Sequence, residues 1–483
     1  MTLVTPAPAA PPRIAFYADD FTGATDTLAT ASVAGLRAIL FLRVPDAALL
    51  ACVGSLDVLG IAGAARSMDK EAMVAELLPV RDFFTELGAR VLHYKTCSTF
   101  DSSPAVGSIG TAIACLRPFS TNPLVAIVGG QPNLNRYCLF GNLFATVETG
   151  GPVFRIDRHE TMSRHPVTPM TEADLRLHLS RQGLAAVASI DYTAYDLDET
   201  AFEARLDDVL GTGPDAVLFD IGHPSHLAVV GRTLWQHAST GAPLLAVGAS
   251  SVAQALIAYW KSQERAVEPL AAEDAASASS PASLLAAWPA SLLAASPASS
   301  AAAPRVSSAA TARVPRPSGR PVLVVAGSLS GVTARQRAAA TSYAHVAVDA
   351  RRLADSGVSA VAPVLAEVVA LLRAGRHVLV HTAADDPDRR PSASRLAHET
   401  GQLLRHVLDQ VPLGRIGIAG GDTSSHAIQA LDCWGLSYLG PVAPGVSLCR
   451  LHADSAEIHG LEVMLKGGQM GPPDVFERLL ANA

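Results

Sequence analysis

The chain has 483 residues, too many for one ordinary domain, with 49% hydrophobic residues, 17% charged residues and a formal charge of −7. This balance excludes the basic footprint of a nucleic-acid binder and a polybasic membrane anchor, and it points to small-molecule partners, with no nucleic acid and no membrane. The 6 cysteines include no CxxC pair, which argues against a zinc ribbon or a disulfide framework and fits a reducing cytoplasm.

Residues 1–12, "MTLVTPAPAAPP", lack a basic segment followed by an apolar one and read as a disordered leader. From residue 13 short apolar runs alternate with stretches of helical length: 13–18, 38–44, 56–63, 89–95, 123–130, 215–220 and 243–250. Runs that are apolar throughout, not at every second residue, predict parallel strands covered on both faces. Residues 13–262 therefore read as a doubly wound, mostly parallel α/β domain. Residues 263–319 turn to Ala, Ser and Pro, with "PASLLAAW" followed directly by "PASLLAAS", the composition of a flexible linker. The rhythm resumes over 320–483 as a second α/β domain. Two such domains form a cleft, and ligands of parallel sheets bind at the carboxyl ends of the strands.

After the first strand, "YADDFTGATDT" runs into a helix start near Thr22. A helix N-terminus favours anions, so Asp19 and Asp20 there suit a ligand that presents hydroxyls, or magnesium; the plain alternative is that one of them caps the helix. Asp26 reads as a solvated or capping carboxylate. Arg66 follows the third strand and Arg136 the fifth, where either guanidinium could clamp a carboxylate or lie on the surface. "HYKTCSTFDSS" places Lys95, Ser98, Thr99, Asp101 and Ser102 directly after the fourth strand. Lysines occur only at 70, 95, 261 and 466, so Lys95 and Lys466 inside motif-like stretches look chosen for chemistry.

In the second domain "AGSLSGVT" (326–333) and "AGGDTSS" (419–425) both lie between a strand and a helix, where Gly, Ser and Thr let backbone N–H groups approach phosphates; ordinary tight turns have the same composition. "MLKGGQMG" (464–471) adds Lys466 and a flexible glycine pair. No GxxxxGK[ST] is present, so this is no Walker-type site, and no GxGxxG follows the first strand, against a dinucleotide-binding dehydrogenase. No residue set is assigned to a metal.

In order along the chain, "ADDFTGATDT", "YKTCSTFDSSP", "GSLSGVTARQ", "GGDTSSHAIQAL", "PGVSL" and "LKGGQMG" resemble the motifs of the four-carbon acid sugar kinases. The resemblance covers nearly the whole chain except the leader and the 263–319 insert. It implies a sugar-acid-binding N-terminal domain, a nucleotide-binding C-terminal domain, and ATP-dependent phosphorylation of the terminal (4-) hydroxyl of a four-carbon acid, with Mg²⁺. By that resemblance Asp19, Asp20, Arg66, Lys95, Ser98 and Thr99 look like the acid pocket, with Arg136 a further candidate for the substrate carboxylate. Ser328, Gly420, Gly421, Asp422, Thr423, Gly467 and Gly468 are similar to the ATP contacts, and Ser330 and Lys466, in the same stretches, are read as binding ATP with them. Asp20 and Asp422 compete for the role of base. The wording "CSTFDSS" is closer to the 3-oxo-tetronate kinases, with threonate or erythronate kinases, or a non-catalytic sensor, as alternatives. "VGGQPNLNRYCLFGNLF" and "AVGASS" depart from the family's usual wording at those places. A homo-oligomer stays open.

Overall fold

In the computed structural model the described residues are 10–147, 150–165, 167–267, 319–327, 330–383, 392–468 and 470–481. Most of the leader and of the 263–319 insert, and Ser328, lie outside them. Every apolar run of the first half becomes a strand: β1 (Ile14–Ala18), β2 (Ala38–Phe41), β3 (Val58–Ala62), β4 (Val91–Lys95) and β5 (Val125–Gly129) come first. Three short strands that the periodicity did not mark follow, β6 (Arg136–Leu139), β7 (Asn142–Thr146) and β8 (Val153–Arg155), paired antiparallel in a sheet of their own. Then come β9 (Val187–Ile190), β10 (Ala216–Asp220) and β11 (Leu244–Gly248). The second half supplies β12 (Val322–Ala326), β13 (Ala344–Asp349), β14 (Val378–Ala383), β15 (Arg415–Ala419), β16 (Cys433–Ala443), β17 (Val446–Ala453) and β18 (Glu462–Lys466).

All except the three short ones join in one 15-stranded sheet, ordered β13-β14-β12-β15-β18-β17-β16-β2-β3-β1-β4-β11-β5-β10-β9. Pairing is parallel throughout the N-terminal half and from β13 to β18, and antiparallel only around β16 and β17. The fold is α/β, as the sequence predicts. Along β1 the reason is visible: Ile14, Phe16 and Ala18 enter one apolar cluster, and Ala15 and Tyr17 enter another on the opposite face. A strand buried on both sides has no polar positions to alternate with.

The sequence reading joins the halves by a tether alone, but the structure joins them through the sheet. Leu40 and Phe41 of β2 pair with Leu436 and Gly435 of β16, and Leu42 N donates to Trp434 O at 3.0 Å. Phe41 and Trp434 stack beside this seam. The helix Phe21–Val33, which follows β1, packs both on the N-terminal helix Ser251–Val267 and on the helix Gly421–Ala430, β16, β17 and β18 of the other half. It starts at Asp20, whose carboxylate accepts the Gly23 N–H at 3.0 Å, and it stops at Gly35, whose φ of 84° suits glycine. Its first turn is therefore held at the junction of the halves.

Candidate functional site

The carboxyl ends of β1, β3 and β4 bring the sequence-singled acids and bases together. Asp19 ends the β1 segment with its backbone fixed on both sides, its N–H on Lys95 O and its carbonyl accepting Arg66 N. The Arg66 guanidinium, in the short turn after β3, donates to Asp19 Oδ1 at 2.8 Å and Oδ2 at 3.4 Å, and lies 2.8 Å from Asp20 Oδ1. One cation thus serves two carboxylates. Burial raises the pKa of Asp19, against the pull of Arg66 and with the help of Asp20, while burial opposes the Arg66 charge and the aspartates more than restore it. The two acids differ in what they have left. Both Asp19 oxygens are taken, whereas Asp20 uses Oδ1 for the helix cap and for Arg66 and has no such bond on Oδ2.

Lys95, at the end of β4, is buried and donates to Thr96 O at 2.6 Å. Its Nζ lies 2.4 Å, and Asp20 Oδ1 2.5 Å, from where a Cβ on Gly23 would stand. Glycine at 23 is therefore what lets the ammonium rest on the first turn of the helix, close to Asp20. The turn after Lys95 is built from its own hydroxyls: Cys97 Sγ and Thr99 Oγ1 are 3.0 Å apart, and Thr99 donates to Asp101 Oδ1 at 2.6 Å. Burial pushes Asp101 up, but Arg66 and the bonds from Thr99 and Cys97 outweigh it and hold Asp101 below the ordinary value. Ser98 is half-buried in the same turn. Ser102 faces inward and is gripped by His178 Nε2 at 2.9 Å and by Gln182 Nε2 at 2.8 Å. This support was not read from the sequence, although His178 and Gln182 stand one helical turn apart.

Arg136, at the start of β6, spends Nη1 on the carbonyls of Leu134, Asn135 and Thr146, and its Nε is buried without a partner. Burial lowers its pKa. The turn it belongs to is pinned to the first-domain helix, because Gln131 Nε2 donates to Asp26 Oδ2 at 3.0 Å. Asp26 is thus a partnered side chain and not the solvated one its sequence suggests. Asp220, at the end of β10 and also missed, is fully buried and accepts from Phe140 N and Gly141 N, holding the β6–β7 turn.

The second cluster lies at the carboxyl ends of β12, β15 and β18. Gly420, with φ 133° and ψ 135°, adopts a backbone conformation that favours glycine, donates its N–H to Lys466 O at 2.9 Å and starts the helix Gly421–Ala430 with no side-chain cap. Asp422 sits in the first turn of that helix, and its side chain lies outside the described residues. Thr423 is buried against Gly327, where a Cβ would come within 2.3 Å of Thr423 Oγ1. Ser330 caps the helix Gly331–Ala339 by accepting Thr333 N at 3.1 Å, and its hydroxyl reaches Gly468 O at 2.5 Å. Thr333 Oγ1 also reaches Gly468 O at 3.1 Å, and Gln336 Nε2 holds the carbonyls of Met470, Gly471 and Pro472. Lys466 is fully buried with Nζ 3.3 Å from Thr333 Oγ1.

The two clusters meet. A Cβ on Gly467 would lie 3.7 Å from Thr22 Cγ2, so the aspartate turn of one half lies beside the glycine turn of the other with room for little more than a side-chain atom between them. Thr22 Oγ1 is buried there without a partner. On a neighbouring side Leu134 and Met470 both close on Gly445. A cavity of about 520 Å³ runs beside the helices Lys70–Leu87 and Ile109–Leu116, bordered by Arg81, Cys115, Arg117, Asp215 and the Gln182 that grips Ser102. Among the described residues no three His, Cys, Asp or Glu side chains gather to hold a metal, and no helix is long and apolar enough to cross a membrane.

An acid-bearing turn beside a glycine-rich, helix-capping turn on one shared sheet defines a two-domain α/β protein with a polar cluster at the strand ends of each half. Residues 14–256 match the family model described as a sugar-binding N-terminal domain, and residues 323–476 match the one described as a nucleotide-binding C-terminal domain. The chain belongs to the four-carbon acid sugar kinase family. It is 35% identical to the 3-oxo-isoapionate kinase of Paraburkholderia graminis, covering 96% of this chain and 93% of that relative. It is 28% identical to the 3-oxo-tetronate kinase of Methylobacterium radiotolerans, covering 96% and 97%. Among solved structures it resembles a Haemophilus influenzae protein of the DUF1537 family, with TM-score 0.63 at 21% identity over 97% of this chain and 99% of the other. A Salmonella typhimurium LT2 protein gives TM-score 0.69 at 21% identity over 96% and 98%. These two likenesses speak for the fold alone.

Proposed function

We propose that the protein is a sugar-acid kinase that transfers the terminal phosphoryl group of ATP to the terminal hydroxyl of a short 3-oxo acid, 3-oxo-tetronate or 3-oxo-isoapionate. The observation that carries this reading is the packing of the helix Phe21–Val33, which starts at the acid-bearing turn, on β18 and the helix Gly421–Ala430, which places Thr22 beside Gly467 and the acid turn next to the glycine turn. Phosphoryl transfer needs little more than an alcohol in line with a phosphate and charge stabilisation around both. The 3-oxo acid class is shared by the relatives at 35% and 28% identity, and 3-oxo-isoapionate, named for the more similar one, ranks first in the test below.

Asp20 takes the hydroxyl proton through Oδ2, the oxygen not used by the cap or Arg66. Asp19 keeps Arg66 in place and orients neighbouring hydroxyls, so Arg66 acts on the acids before it acts on the substrate. Lys95 and the unspent face of Arg136 then remain for the substrate carboxylate, with Ser98 and Thr99 at its hydroxyls. The helix starting at Phe21 favours the incoming phosphoryl group. Across the junction Gly420 sets the turn from which the N–H groups of Gly421 and Thr423, together with Ser328 and Ser330, and Gly467 and Gly468, hold the nucleotide, with Lys466 offsetting charge. Mg²⁺ would be carried by the nucleotide phosphates, with Asp422 the candidate carboxylate and Asp19, both of whose oxygens are held by Arg66, reaching a water of the ion, and it would neutralise phosphoryl charge. An ATP-using enzyme of this kind belongs in the cytoplasm.

The test is ADP release with ATP and magnesium against 3-oxo-isoapionate, 3-oxo-tetronate, threonate, erythronate and longer aldonates. Turnover on a 3-oxo acid is expected; ATP binding without turnover on any acid would overturn the reading in favour of a sensor. Asp20→Asn is expected to abolish turnover and leave nucleotide binding intact. Near-normal turnover in Asp20→Asn, with none in Asp422→Asn, would transfer the role of base to Asp422.

A further inference from the structure

Lys466 is the anomaly of the nucleotide half. It ends β18 with no exposed surface, and among the described residues its Nζ has one hydrogen-bond partner, Thr333 Oγ1 at 3.3 Å. No carboxylate stands within ion-pair distance of it among the described residues. A buried ammonium without a counter-ion is costly, and a lysine answers that cost by giving up its proton. β17, paired alongside, carries Arg450 and His452, the latter bonded to Ser437, and the helix Gly421–Ala430 carries His426, which has interactions of its own, and Asp422, whose side chain lies outside the described residues. The other described charged groups around it are committed elsewhere. On the helix Gly331–Ala339, Arg337 meets His381, and Arg335 has interactions of its own. At the far end of β18, Glu462 pairs with Arg415 of β15. On the helix Val475–Ala481 and just before it, Glu477 accepts Ser342 N and Arg478 pairs with Asp474. On the helix Phe21–Val33 and its cap, Asp26 holds Gln131 and Asp20 holds Arg66. Burial alone pushes the Lys466 amine down, to about 7.

Its surroundings point to what is missing. Thr333, which it touches, belongs to the first turn of a helix whose cap Ser330 is tied to Gly468, and the Lys466 carbonyl anchors Gly420 at the start of the other helix. Two helix N-termini and a glycine turn thus converge around one uncompensated amine, and what such a place lacks is negative charge.

We propose that Lys466 is the counter-ion of the nucleotide phosphates and takes up its proton from solvent as the nucleotide binds. The inference rests on the nucleotide site assigned above. The amine is converted to ammonium, one solvent proton is consumed per nucleotide, and no bond to the nucleotide forms or breaks. The bound phosphates raise the pKa of the amine above its free value, so the coupling is complete below that value. Affinity then falls as pH rises through the window above about 7, by up to about tenfold per unit.

The experiment is calorimetric titration of ADP with magnesium at about pH 8, in two buffers of different ionisation enthalpy. At that pH the nucleotide's last phosphate proton, with a pKa near 6, has already been lost. The wild-type protein is expected to take up most of one proton per ADP. Lys466→Arg, permanently charged, is expected to bind with no uptake and with an affinity flat in pH, and Lys466→Met to bind with no uptake and at least about tenfold more weakly near neutral pH. Binding by the wild type with no proton uptake, or equal uptake in the wild type and either variant, overturns the proposal and leaves the kinase reading standing. Absence of ADP binding by the wild type overturns both.

Discussion

Replacing Arg66 by Met separates two roles for that guanidinium, substrate clamp or keeper of the aspartate pair. In the structure a single nitrogen lies 2.8 Å from Asp19 Oδ1 and 2.8 Å from Asp20 Oδ1, while the Asp19 side chain is only 5% exposed. Removing the cation leaves a buried carboxylate facing a second one. Loss of one partner of a buried pair costs about 3–5 kcal/mol; the Arg66 side chain is 24% exposed, so water takes up part of the charge and the lower end, about 3 kcal/mol near neutral pH, is expected. The pH dependence has a definite sign. Asp19 already holds its proton more tightly in the folded state than in the unfolded chain, because of burial, and loss of Arg66 strengthens that preference. A carboxyl with a raised folded pKa costs stability as pH rises from the ordinary carboxylate value up to the folded value. The deficit of Arg66→Met therefore shrinks as the solution is acidified, and Arg66→Lys recovers part of it at neutral pH. Urea unfolding of the wild type and both variants across a pH series reads this directly. If Arg66→Met unfolds like the wild type at every pH, and only the KM for the sugar acid rises, the guanidinium belongs to the substrate and the reasoning is refuted.

Three further outcomes follow from the same geometry. In Gly23→Ala the new Cβ would sit 2.4 Å from Lys95 Nζ and 2.5 Å from Asp20 Oδ1; the helix-propensity gain of about 1 kcal/mol roughly offsets the weakened cap, so thermal melting should barely move while kcat falls by about a hundredfold. Gly327→Ala places a Cβ 2.3 Å from Thr423 Oγ1 and forces the two turns of the nucleotide half apart, so ADP should bind at least about tenfold more weakly with sugar-acid binding unchanged, as measured by titration of each ligand alone. In the nucleotide-free protein the Lys466 amine titrates at about 7, against 10.5 ordinarily, so the unfolded chain binds the extra proton and stability rises with pH between those values; Lys466→Met should abolish that slope in denaturant unfolding and be the more stable protein near pH 7.

Much of this molecule was legible in one dimension because its strands are buried on both faces. Such strands leave uninterrupted apolar runs, and the polar residues directly after β1, β4, β12 and β15 mark the carboxyl edge where parallel sheets bind ligands. Asp19, Asp20, Lys95 and Gly420 were singled out that way, from types and positions relative to strand ends, and Lys466 from the scarcity of lysines and the glycines after it. What the sequence could not express is pairing. The sharing of Arg66 by two aspartates joins residues separated by 46 and 47 positions, and the grips of Gln131 on Asp26 and of Gln182 on Ser102 span 105 and 80. The antiparallel strands β16 and β17 and the small β6–β8 sheet went unread because polar residues, glycine and proline stand among their apolar ones and break the run. The seam between β2 and β16 is likewise a tertiary event: two strands remote in sequence satisfy each other's backbone groups and so bring Thr22 against Gly467. Residue types and their order determined which chemistry the chain carries. Which acid keeps a free oxygen and which lysine has no counter-ion was decided only when the two halves closed into one sheet, because those properties depend on distance and burial and not on order along the chain.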